Sequence, residues 1–83
     1  MLKINKAIEN YNKYRSPESI AILISKKDKK FIVRFTGPYC YTCGVHDYFE
    51  DLVVELEDLN IKAKIKKVNK IDNFTHEVEF ELI

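Results

Sequence analysis

The side chains with the most chemical potential stand together in "GPYCYTCGVH", positions 37–46. Cys40 and Cys43 form a C-x-x-C pair, and His46 follows at the same spacing. At the opening of a helix such a pair has a definite chemistry. Unpaired amide hydrogens and the positive end of the helix dipole favour a thiolate over a thiol. The first cysteine gains most, so Cys40 is expected to be the nucleophile and Cys43 to resolve the mixed disulfide. Pro38, Tyr39 and Tyr41 flank the pair, and the two tyrosines suit contact with a partner's extended chain. Two other roles fit the same residues. They can be packed thiols or a structural disulfide without reactivity. Together with His46 and His76 they can also supply the four N/S donors of a tetrahedral zinc site. Structural zinc usually rescues a chain without a core, which this chain does not lack, and no other cofactor is implied.

The stretch "FIVRFTGPYCYTCGVHDYFEDLVVEL" resembles the strand, C-x-x-C and helix of thioredoxin-like proteins, over about residues 31–56. The resemblance implies thiol–disulfide exchange at Cys40 and Cys43. It is local. Tyr39 stands where that family has tryptophan, and no proline follows Pro38, so the cis-proline that faces the redox pair has no counterpart.

The elements that must position these residues follow from hydrophobic spacing. Ile4, Ala7, Ile8 and Tyr11 recur at helical intervals, which predicts a first helix over 2–14. Pro17 ends it. "IAILIS" and "FIVRFT" read as strands, separated by the charged turn "KKDKK" at 26–30. Val45, Tyr48, Phe49, Leu52, Val53, Leu56 and Leu59 predict a second helix over roughly 44–59, with an acidic opposite face. "IKAKIKKV" and "HEVEFEL" alternate as half-buried strands around a turn in "NKIDNF". The expected fold is α+β, an αββαββ pseudo-repeat in one domain, residues 1–83, with halves 1–36 and 44–83. A four-stranded mixed or antiparallel sheet with both helices on one face is the economical arrangement. It gathers Cys40, Cys43, His46, Asp72, His76, Tyr14 and Arg15 at one end. His76, opening a strand, is expected at the surface.

Composition narrows the functional classes. With 46% apolar residues in 83, a core forms without covalent staples. The formal charge is only +1, which argues against strong attraction to nucleic acid. A basic site, if there is one, consists of Lys26, Lys27, Lys29, Lys30 and Arg34. Lys62, Lys64 and Lys66 are expected to lie opposite Glu77, Glu79 and Glu81 and to be neutralised there. No apolar run is long enough to span a bilayer and no secretory leader is visible, so the expectation is a cytoplasmic protein.

Strands 1 and 2 suggest assembly. If Ile20, Ile22, Ile24, Phe31, Val33 and Phe35 face the helices, then Ala21, Leu23, Ile32 and Arg34 form a half-apolar outer face. Such a face on a small domain predicts a homodimer or higher oligomer through this hairpin. Two functional classes therefore stand side by side: a redox-active or sensory thiol protein, and a non-enzymatic interaction domain with structural cysteines.

Overall fold

The computed structural model describes residues 2–15, 19–37 and 45–83. Their order is α1 (Leu2–Arg15), β1 (Ile20–Lys27), β2 (Lys30–Thr36), α2 (Val45–Asp58), β3 (Ala63–Asp72) and β4 (Thr75–Leu82), helix–strand–strand twice over. The strands form one sheet in the order β1-β2-β4-β3, every neighbouring pair antiparallel. Since β2 and β3 both oppose β4, they run parallel to each other with β4 between them. The connection through α2 thus steps over one strand.

Period-two alternation assigns the sheet faces. Phe31, Val33 and Phe35 of β2 and Val78 and Phe80 of β4 are buried on the inner face. The helices close over them with Ile4, Ala7, Ile8 and Tyr11 from α1 and Tyr48, Phe49, Leu52 and Leu56 from α2. Phe35 is the junction of this core. Its ring meets Tyr11 edge-on at 5.5 Å, Phe49 at 4.9 Å and Phe80 at 6.2 Å, while Phe31 stacks on Phe80 at 5.2 Å. Such pairs add about 0.5–1.5 kcal/mol each beyond the area they bury.

The helix and turn ends follow local chemistry. At the end of α2, Asn60 takes a left-handed φ of 65°. Its amide donates to the Glu57 carbonyl, and the Ile61 amide donates to the Leu56 carbonyl, both at 2.9 Å. This is a Schellman stop, with asparagine in the place glycine usually takes. The β1–β2 turn is tighter than the charged run 26–30 suggests. Lys27 pairs with Lys30, and only Asp28, at φ 55°, and Lys29 lie between.

The inner face of β1 is the reverse of the sequence expectation. Ala21 is buried, Leu23 packs on the core, and Ile20, Ile22 and Ile24 are exposed. The cause is a bulge at Ile24, where pairing steps from Leu23↔Val33 to Ser25↔Ile32. Without it, the two-residue turn would set Ile24 opposite Val33 and Ile22 opposite Phe35. One extra residue shifts the phase and turns every preceding side chain over. Asn12 of α1 holds the shifted strand. Its carboxamide accepts from the Ala21 amide at 2.7 Å and donates to the Ala21 carbonyl at 3.0 Å. Ser19, fully buried just before β1, shares a 2.8 Å hydrogen bond with the Tyr11 hydroxyl.

The core assignment makes a direct prediction. Leu56→Ala removes a side chain with no exposure, and should cost roughly 2–5 kcal/mol in denaturant titration. Val54→Ala, on the half-exposed side of the same helix, should change stability by less than about 0.5 kcal/mol.

Candidate functional site

At the end of the sheet where β2 finishes, the chain leaving β2 is joined to the β3–β4 turn. Gly37 follows β2 with φ 147°, a conformation open to glycine, and its amide donates to the Phe74 carbonyl at 2.9 Å. Phe74 belongs to the β3–β4 turn, where its own amide donates to Asp72 Oδ1 at 2.8 Å. The turn is thereby fastened to the strand that leads into the cysteine segment. Pro38, Tyr39, Cys40, Tyr41 and Cys43 lie outside the described residues, as does the side chain of His46. The chain resumes at Val45, the first residue of α2.

Beneath this end lies His76. It stands across from Phe35 on β2 and Lys70 on β3, on the inner face of the sheet. It is 8% exposed, and the ring of Phe49, one turn into α2, covers it at a centroid distance of 5.5 Å. The expectation of a surface histidine is therefore corrected: its place in the alternation with Val78 and Phe80 turns it inward. Burial pushes its pKa below the ordinary imidazole value, Lys70 pushes the same way, and Asp72 opposes them. The neutral ring so favoured is both a hydrogen-bonding group and the metal-ligand form of histidine. Among the described residues, no three His, Cys, Asp or Glu side chains are grouped as a metal site.

Residues at the end of α1 reach the same part of α2. Arg15 forms an ion pair with Asp51, and its guanidinium carbon lies 4.9 Å from the centre of the Tyr48 ring. Tyr14 is exposed and lines, with Arg15 and Asp51, the same surface cleft. Of the residues expected to gather here, Arg15, Asp72 and His76 are seen at this end, Arg15 and His76 against α2 and Asp72 in the β3–β4 turn. Sequence spacing gave no sign of the contacts Phe49–His76 and Arg15–Tyr48, because both join elements far apart in the chain. Tyr11 is buried near by, which pushes its hydroxyl pKa up to about 12, and its bond to Ser19 gives it a structural part.

The outer face of the sheet carries the second candidate surface. Its β3–β4 half is a lattice of ion pairs. Arg34 holds Glu77 at 2.8 and 3.1 Å, Lys30 stands 4.0 Å from Glu79, and Lys64 and Lys66 lie 3.5 and 3.9 Å from Glu81. The neutralisation expected from sequence is present for Lys64 and Lys66, which lie near Glu81, while Glu77 and Glu79 take cations from β2. β4 is an interior strand, so β2 supplies two of the cations, and a bulge at Lys66 places Lys67 opposite Glu79. The basic hairpin is similarly engaged: Arg34 and Lys30 pair within the sheet, and Lys26 Nζ donates to the Asp28 carbonyl at 2.9 Å. The apolar strip lies along β1, with Ile20, Ile22 and Ile24 exposed and Ile32 of β2 half-buried beside them.

No helix among the described residues is long and apolar enough to cross a membrane. No family model, curated protein or solved structure matches the chain at a significant level.

The buried histidine predicts a pH dependence. Its folded pKa lies below the unfolded one, so the unfolded chain binds more protons between the two values. The contribution is complete above the unfolded imidazole pKa, about 6.5, and is lost as pH falls through the folded value. Denaturant titrations across this range should show wild-type stability falling more steeply than that of His76→Phe. Equal slopes would show that His76 does not titrate differently on folding.

Proposed function

We propose that this domain is a non-enzymatic interaction module that self-associates through the outer face of the β1–β2 hairpin. One observation carries the reading. Ile20, Ile22 and Ile24 are 39%, 50% and 41% exposed in a single strand, on the side of the sheet opposite α1 and α2. Burying exposed isoleucine is worth up to roughly 1.5–3 kcal/mol per side chain, so covering this strip is a substantial driving force. The adjoining ion-pair lattice, in which every glutamate of β4 has a cation beside it, forms a polar rim.

A second reading concerns the thiols. Cys40 and Cys43 precede α2 directly, and the elements on either side of their segment, β2 and α2, meet at the Phe35–Phe49 contact. This supports a thiol pair that cycles between dithiol and disulfide by exchange with a partner's disulfide or dithiol. The same pair in an inert state would be structural. The zinc alternative keeps Cys40, Cys43, His46 and His76 as its donors, and the nucleic-acid alternative keeps Lys26, Lys27, Lys29, Lys30 and Arg34, of which Lys30 and Arg34 pair with glutamates of β4.

Sedimentation equilibrium tests the first reading. The wild-type chain should associate reversibly at micromolar concentration, and Ile22→Glu should sediment as a monomer with an unchanged circular dichroism spectrum. A wild-type monomer throughout that range removes the reading. Alkylation tests the second. A redox pair should react at neutral pH well faster than free cysteine, with Cys40 modified first, whereas labelling that requires denaturant leaves the cysteines structural.

A further inference from the structure

The two edges of the sheet are finished differently. On β1 the backbone groups of Ala21 that point away from β2 are both taken by the Asn12 carboxamide. On β3 the Ile83 amide donates to the Lys62 carbonyl, while the Leu82 amide turns the other way, to the Lys29 carbonyl. Antiparallel pairing alternates, so Lys62 directs its backbone groups at β4, and Ala63, opposite Leu82, directs its own outward. Ile65, two residues on and before the bulge at Lys66, is turned the same way. Among the described residues no group bonds the outward amide and carbonyl of Ala63, although Ala63 is only 6% exposed. Main-chain groups buried without partners cost free energy comparable to lost hydrogen bonds, so this stretch is one strand short.

Beside this edge runs a groove of about 470 Å³ between β3 and α2. Val53, Val54, Ala63 and Ile65 supply its apolar surface, and Glu50 and Glu57 stand at its rim. Both carboxylates are exposed, and neither has an ion pair among the described residues, unlike Asp51, which Arg15 holds. The last turn of α2 contains no basic residue, so Glu57 and the negative end of the helix dipole act together. Lys64 borders the groove as well, but its ammonium group lies 3.5 Å from Glu81. The result is an apolar strip with a wall of uncompensated negative charge.

We propose that this groove takes an extended basic segment of another protein, added to β3 as a fifth strand. Main-chain bonds to Ala63 and Ile65 supply attachment, and alternate side chains supply selectivity. Every second side chain of the added strand falls on the α2 side of the sheet. One rests on Val53 and Val54, and those before and after it reach the carboxylates. Seven residues of helix separate Glu50 from Glu57, about 10 Å, and strand positions four apart are about 13 Å apart, a mismatch that long lysine or arginine stems absorb. The pattern recognised is therefore basic-x-aliphatic-x-basic. The bulge at Lys66 restricts regular pairing to a few residues, which favours a short segment over a long strand. The groove lies on the opposite side of the sheet from the isoleucine strip and does not depend on the self-association proposed above.

The capped peptide Thr-Lys-Thr-Val-Thr-Lys-Thr tests this by nuclear magnetic resonance on isotope-labelled chain. Millimolar peptide should shift the amides of Ala63 and Ile65 saturably, and more than those of Ala21 and Ile22. No saturable shift, or shifts centred elsewhere, overturns the proposal. Replacing both peptide lysines by glutamate should weaken binding by about tenfold, and combining Glu50→Gln with Glu57→Gln should remove most of that difference. Equal affinity of the two peptides for the wild-type chain overturns the choice of a basic occupant. Methylating one alternate set of peptide nitrogens should abolish binding, and methylating the other set should leave it nearly unchanged. Equal effects overturn strand addition. Shifts at Ala63 and Ile65 that follow protein concentration without peptide make a second copy the occupant and overturn the proposal too. Ile22→Glu should bind the peptide as the wild-type chain does, whatever its sedimentation shows, which separates this result from that of self-association.

Discussion

The aromatic junction at Phe35 is the contact on which the rest of the structure depends. One ring touches α1 through Tyr11, α2 through Phe49 and β4 through Phe80. Three elements from both halves of the chain therefore share one point of fixation. Two residues later the chain reaches Gly37, whose hydrogen bond to Phe74 ties β2 to the β3–β4 turn. The entry to the cysteine segment is set by this packing, and so is the start of α2, because Phe49 is held at once against Phe35 and His76. A thiol site or a structural thiol pair in that segment would inherit the same rigid base.

The outer face divides into two halves with different physics. Over β3 and β4, each glutamate of β4 lies near a cation from a neighbouring strand, and such exposed pairs contribute about 0.2–1 kcal/mol apiece. They add little stability, but they cancel the field that a lysine-rich strand would otherwise project. Along β1 the surface is an apolar strip of Ile20, Ile22 and Ile24, and the edge beside it is closed by a side chain instead of charge. Asn12 satisfies two backbone groups that solvent or another strand would otherwise take. Edge protection and an exposed apolar strip are thus found on the same strand, so the strip is not exposed together with free strand-pairing groups at Ala21.

Much of the architecture was legible along the chain. The spacing of Ile4, Ala7, Ile8 and Tyr11 and of Tyr48, Phe49, Leu52 and Leu56 marked both helices and their buried faces correctly. Alternation did the same for Phe31, Val33 and Phe35 and for Val78 and Phe80. It failed on β1. "IAILI" is apolar on both sides, so hydrophobicity could not choose a face, and the choice fell to a bulge that pattern does not announce. His76 was misjudged for a related reason: a polar residue at a strand's start was read by type, although its position continued the inward series of Val78 and Phe80.

Sequence by itself determined the order of elements, the period of each and the residues able to do chemistry, because these depend on neighbours within one or two turns of chain. Tertiary structure alone decided strand order, the face of β1, the burial of His76 and the partners of each lysine and glutamate. Those outcomes turn on register and on contacts between distant segments, such as Asn12 with Ala21 and Gly37 with Phe74. A one-residue shift reverses a strand at little local cost. Its full cost is felt only when the opposing sheet and helices are in place, and they are what selected the isoleucines for the surface.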